Sequence, residues 1–171
     1  IYSLTEAMDR KELKLKKYDD KNQEFHGQLW KVSSWDKATF WDIDKDYDNT
    51  QETWHAFETK YPDIDDVNPT DYSPLYEAID FVVNSNDETF KKEVGDYFDI
   101  PVLIDYQLFQ ETLKPVDNNG KNMYWGIYDV AESQKLTLAI WDLDASVGQD
   151  WHCSTPLHPD YVLPNTDLGV K

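Results

Sequence analysis

Two stretches late in the chain, Met123-Tyr124-Trp125-Gly126-Ile127-Tyr128 and Lys135-Leu136-Thr137-Leu138-Ala139-Ile140-Trp141, are dense in aromatic, β-branched and apolar residues, with only a short polar turn between them. Side chains of this kind suit a pleated, half-buried surface, so the two stretches are predicted to pair as an antiparallel hairpin. A hairpin joined at its far end brings the start of its first strand beside the end of its second. Asn122 and Asp142 thereby become neighbours although 19 residues separate them.

Upstream of the hairpin, residues 99–109 read as a buried helix, with Asp99 as N-cap, Pro101 in the first turn and apolar residues almost all round. The helix feeds a loop containing Asp117, with Asn122 five positions later. Asp-x-x-x-x-Asn, a two-strand stretch and then an Asp is the order that phosphoryl transfer uses. The first Asp accepts the proton of the attacking hydroxyl, and the Asn and later Asp hold a metal against the nucleotide phosphates. Two oxygen donors at one end of a hairpin suit a hard cation. In a chain with 34 acidic residues the same spacing also describes a polar turn, and Asp142 and Asp144 alone would serve as caps or a solvated strand end.

With 171 residues, 40% hydrophobic content, 7 Trp and 11 Tyr, the chain can bury a real core, and one domain is expected. The formal charge of -18 is unevenly spread: residues 1–40 carry 8 basic and 7 acidic groups, residues 41–171 carry 8 and 27. Such a field disfavours nucleic acid and anionic membrane as partners and favours basic proteins or divalent cations, although solubility alone explains many of the charges. Cys153 is the only cysteine, so no intrachain disulfide can form. No apolar run approaches the roughly 18 residues that a membrane span needs, and no signal peptide is visible.

Elsewhere, Asn49 with Glu52 suits a capping box for a helix over residues 50–60, Ser73-Pro74 opens another through Val83, and Ser85 with Glu88 begins a third ending near Gly95. Residues 1–6 and 24–32 look like strands. The basic run 10–17 between them reads as an amphipathic strand with Leu13 and Leu15 inward. Asp42, Asp44, Asp46 and Asp48 alternate like a calcium loop, but Tyr47 and Thr53 stand where an EF-hand needs Gly and Glu, and a solvated charge run fits better. His152, Cys153 and His158 lack a fourth zinc ligand and read as surface residues.

Residues 1–16, with Tyr2, Leu4, Thr5, Glu6, Arg10, Lys11, Leu13 and Leu15, resemble a segment of the spore-coat CotH kinase family. Gly27-Gln28-Leu29-Trp30-Lys31, residues 99–113, the Asp117 to Asn122 spacing and Trp141-Asp142-Leu143-Asp144 through Gly148 are similar to its later blocks, in the same order. The resemblance implies an α+β, atypical protein-kinase-like fold, mainly the larger lobe with a few strands from the interlobe region. It also implies phosphate transfer from ATP with Mg²⁺ or Mn²⁺ to Ser or Thr of a basic or Ser-rich protein. Asp117 would be the catalytic Asp, Asn122 and Asp142 metal ligands, and Asp144 an accessory carboxylate. A bacterial surface, envelope or secreted location follows from the same resemblance. The family's phosphate-gripping basic residue has no counterpart here, and the chain reads as a fragment of a longer domain. Its parts are a strand-rich interlobe segment 1–40, an acidic helical segment 41–98 that matches the family poorly and reads as an insertion, a catalytic-loop and metal-site core 99–148, and a tail 149–171. The alternatives are a non-catalytic surface or coat module that keeps the fold, and a glycoside hydrolase using Asp142 and Asp144 on one strand face.

Overall fold

The computed structural model describes residues 8–34, 40–118, 120–143 and 145–147. In chain order the elements are β1 (Gln28–Val32), β2 (Thr53–Trp54), β3 (Phe57–Tyr61), α1 (Ser73–Asn84), α2 (Asp87–Tyr97), α3 (Ile100–Leu113), β4 (Met123–Ile127) and β5 (Thr137–Ile140). The strands form one antiparallel sheet in the order β2-β3-β1-β4-β5. This α+β architecture is consistent with a kinase-like fold.

The two central strands, β1 and β4, are buried on both faces, which explains why β4 reads as an unbroken apolar run instead of an alternating one. Trp30 and Trp125 are register partners, and both face the main core beneath α1. Leu29 and Tyr124 face the other side, where Leu15 covers them. Leu15 comes close because residue 27 is glycine: a Cβ there would lie 2.6 Å from Leu15 Cβ and 2.7 Å from the Lys16 carbonyl.

α1 forms where Ser73-Pro74 predicts a helix start, and it presents Leu75, Ala78, Ile79 and Val82 to the core at helical spacing. Burial of each of Leu75, Ile79 and Val82 contributes roughly 2 kcal/mol of transfer free energy. α2 starts at Asn86, one residue after the predicted Ser85: the Asn86 side chain accepts from Thr89 N at 2.9 Å. It also runs through Gly95 to Tyr97, because Tyr97 stacks on Phe81 with ring centroids 4.1 Å apart.

Other expectations are corrected. Residues 50–60 form the β2–β3 hairpin, not a helix. His55 and Ala56 take the turn with φ of 49° and 65°, Phe57 and Thr59 point inward, and Asn49 accepts from Tyr72 N at 2.9 Å instead of capping. The segment 41–98 is therefore part strand. The basic run 10–17 is not a strand: Asp9 Oδ1 accepts from Lys11 N and Glu12 N, winding a turn that leaves Leu15 buried and Leu13 only half-buried. α3 begins after Asp99 with Pro in its first turn as predicted, but buries only Tyr106 and Gln110 and leaves Ile104 and Leu108 more than half exposed. Residues 1–6, and His152, Cys153 and His158, lie outside the described residues.

Candidate functional site

The loop from Lys114 to Asn122 links α3 to β4, and its geometry follows from one buried amide. Asn118 is wholly enclosed, and its Nδ2 donates to the carbonyls of Asn122 at 2.9 Å and Trp141 at 2.7 Å. Those carbonyls sit at the open end of the β4–β5 hairpin, where Trp141 N also donates to Asn122 O at 3.0 Å. The backbone carbonyl of Asn118 in turn accepts from the Tyr106 hydroxyl and from Gln110 Nε2, the two buried side chains of α3. Burial pushes the Tyr106 phenol well above its ordinary pKa, so it stays protonated and donating. α3, the loop and both strand ends are thus tied through one residue. Val116 N to Ala145 O at 3.0 Å and Val147 N to Leu113 O at 2.7 Å fasten the chain after β5 to the same helix end.

On this frame Asp117 and Asn122 meet directly: Asn122 Nδ2 donates to Asp117 Oδ2 at 2.9 Å. Lys121 Nζ lies 3.0 Å from the same oxygen, with the Asp117 side chain 18% and the Lys121 side chain 34% exposed. Asp142 follows Trp141, the residue hydrogen-bonded to Asn122, so the predicted neighbourhood of Asn122 and Asp142 along the chain ends is present. Asp142 is exposed to solvent. Asp144 lies outside the described residues.

Backbone strain concentrates here. Of the nine non-glycine residues with positive φ among the described residues, Lys114, Asn122, Asp142 and Val147 all border this loop. Asn and Asp tolerate that region through local hydrogen bonding, whereas a β-branched Val at φ 55° is a real outlier. Such conformations cost on the order of 1 kcal/mol or more each and cluster where function dictates geometry.

The other acidic constellation has a structural use. His55 is buried with Nε2 3.0 Å from the Asp42 carbonyl and Nδ1 3.1 Å from Asp44 Oδ2, and Trp54 Nε1 donates to the Asp46 carbonyl at 3.2 Å. Asp48 accepts from the Thr50 hydroxyl and N–H, which hold its carboxyl below the usual range. The acidic run is therefore wrapped around the His55 turn rather than arranged as an ion cage. Among the described residues no three His, Cys, Asp or Glu side chains are grouped to hold a metal.

Sequence reasoning missed Asn118 and Lys121. Asn118 has no local signature, since one of its partners, Trp141, lies 23 residues away. Lys121 was detectable as one of only eight basic residues in positions 41–171, set directly before Asn122.

An α+β domain whose loop sets an acid and an amide against the open end of a hairpin is the class that this geometry defines. The chain belongs to the CotH kinase family: the family model described as CotH kinase protein matches residues 1–167, nearly the whole chain. Membership points to kinase-like function in a spore-coat associated family. No curated protein matches the chain.

Proposed function

We propose that this chain carries the transfer site of an ATP-dependent protein kinase of the CotH family, acting on Ser or Thr of a basic or Ser-rich protein. The observation that carries this reading is the 2.9 Å bond from Asn122 Nδ2 to Asp117 Oδ2. An amide that donates through its nitrogen turns its oxygen to the opposite side, so one bond orients the carboxylate and presents Asn122 Oδ1 away from it. Asp117 takes the proton of the acceptor hydroxyl. Asn122 and Asp142, with Asp144, would hold Mg²⁺ or Mn²⁺; all are oxygen donors, as such ions require. When bound, the ion neutralises charge on the phosphate oxygens. The fold would be the larger part of an atypical protein-kinase-like domain, and the location a bacterial surface, envelope or secreted one. Among the described residues no helix is long and apolar enough to cross a membrane.

Less supports a two-carboxylate hydrolase. β5 ends at Ile140 and Asp142 has φ 58°, so the strand alternation on which that reading depends stops before Asp142.

The test is incubation of the full-length protein with labelled ATP, Mn²⁺ and a basic Ser-rich acceptor. Transfer that drops by at least ~10²-fold in Asp117→Asn, with nucleotide affinity kept, is the expected result. A parent that neither binds nucleotide nor transfers label leaves the non-catalytic coat module standing instead.

A further inference from the structure

The geometry points to Lys121 as the cation that holds the terminal phosphate of the nucleotide within this loop, a role that rests on the phosphotransferase reading above. Lys121 Nζ and Asn122 Nδ2 converge on the same carboxylate oxygen, Asp117 Oδ2, at 3.0 and 2.9 Å. If Asp117 receives the hydroxyl proton, the acceptor oxygen sits within hydrogen-bond reach of that carboxylate, and the phosphorus it attacks is about 3 to 3.5 Å further on. An ammonium already touching the carboxylate is then within a small side-chain rotation of the terminal phosphate oxygens.

Charge leads to the same residue. A nucleoside triphosphate must enter a region with 27 acidic and 8 basic residues, beside Asp117 and the exposed Asp142. Lys121 is the cation that the loop itself brings to the reacting carboxylate. Its ion pair is partly solvated, so it is held weakly, and a phosphate oxygen with higher charge is the stronger acceptor. Lys121 thus pairs with Asp117 before the nucleotide arrives and exchanges that oxygen for one on the terminal phosphate afterwards, freeing Asp117 Oδ2 for the hydroxyl. In the transfer itself the acceptor oxygen bonds to phosphorus, the bond to the bridging oxygen breaks, and its electron pair leaves with the nucleoside diphosphate. The hydroxyl proton passes to Asp117, and Lys121 keeps its own.

A cation that only braced the loop would not distinguish nucleotides by their terminal phosphate. Calorimetric affinities of the full-length protein for a non-hydrolysable ATP analogue and for ADP, both with Mg²⁺, separate the roles. Lys121→Ala should weaken the triphosphate analogue roughly tenfold or more while leaving ADP within about twofold, and Lys121→Arg should restore most of the difference. Equal loss for both nucleotides, or no change for either, in Lys121→Ala or in Lys121→Gln should the alanine variant not fold, overturns the role of Lys121 and leaves the transfer reading intact. A parent that binds neither nucleotide overturns the transfer reading itself.

Discussion

At the closed end of the β4–β5 hairpin, Asp129 accepts from Lys16 Nζ at 2.6 Å, sits 2.7 Å from His26 Nδ1 and accepts from Ala131 N at 3.1 Å; its side chain is only 7% exposed. At the open end, one oxygen of Asp117 accepts from Asn122 and lies 3.0 Å from the Lys121 ammonium, and both members of that ion pair keep contact with solvent. Around the closed turn no residue from 128 to 136 has positive φ, whereas Lys114, Asn122, Asp142 and Val147 all do around the open end. The same hairpin therefore carries one acid spent on holding three chain segments together and another kept reachable in strained surroundings. Charge and aspartate are common to both ends; what differs is enclosure and backbone ease, and that difference separates an anchor from the candidate site.

Breaking the open end's support should cost the most. Asn118→Leu leaves the Trp141 carbonyl without its buried donor and cuts the link to Asn122, so stability by denaturant unfolding should fall by about 3 kcal/mol. Transfer activity should fall as well, because the spacing of Asn122 and Asp142 is set by that amide. If Asn118→Leu unfolds like the parent, the clasp is not what holds the open end.

Next in size is the closed end. Burial raises the Asp129 carboxyl, but hydrogen bonds from Lys16, His26 and Ala131 outweigh it and bring the pKa down to about 2. Folded Asp129 is thus more acidic than the ~3.9 of an unfolded Asp, and its contribution is fully present above pH ~4 and lost as pH falls towards 2. Asp129→Asn should cost about 2 kcal/mol at pH 7, lowering the melting temperature by about 4 to 8 °C, with the gap to the parent closing between pH 4 and 2. A gap that persisted unchanged at pH 2 would mean that the anchor works through packing and not through charge.

The smallest effect calibrates the other two. Asn86→Ala removes the cap of α2, remote in sequence from both hairpin ends, and should cost about 1 kcal/mol in thermal unfolding with transfer unaltered. A change in transfer would show that activity follows overall stability and not the open end.

Where the sequence could be read correctly, local chemistry and tertiary packing agree. Ser73-Pro74 marks the start of α1, and the aromatic and β-branched density of residues 123–141 marks the hairpin that brings Asn122 to Trp141. Residues 50–60 failed because Asn49 and Glu52 imitate a helix start while the true turn, His55-Ala56, lacks the Asn-Gly or Asp-Gly signal of a tight hairpin. The Tyr72 hydroxyl completes the override, accepting from Thr59 Oγ1 at 2.8 Å and donating towards the Glu52 carbonyl. In the site, the Asp117 and Asn122 spacing was legible as a pattern, but the residue that positions them was not. Asn118 looks like any loop asparagine until Trp141 and Tyr106 are folded against it. Lys16 and His26 were equally silent, since their partner Asp129 is more than a hundred residues away.

The most direct trial of the division between the two ends is one paired measurement on the full-length protein: label transfer from ATP and melting temperature, for Asp117→Asn and Asp129→Asn side by side. Asp117→Asn should lose at least ~10²-fold of transfer with its melting temperature within about 2 °C of the parent, while Asp129→Asn should melt several degrees lower and keep transfer within a few-fold at temperatures where it is folded. Loss of transfer in Asp129→Asn with none in Asp117→Asn would contradict the account.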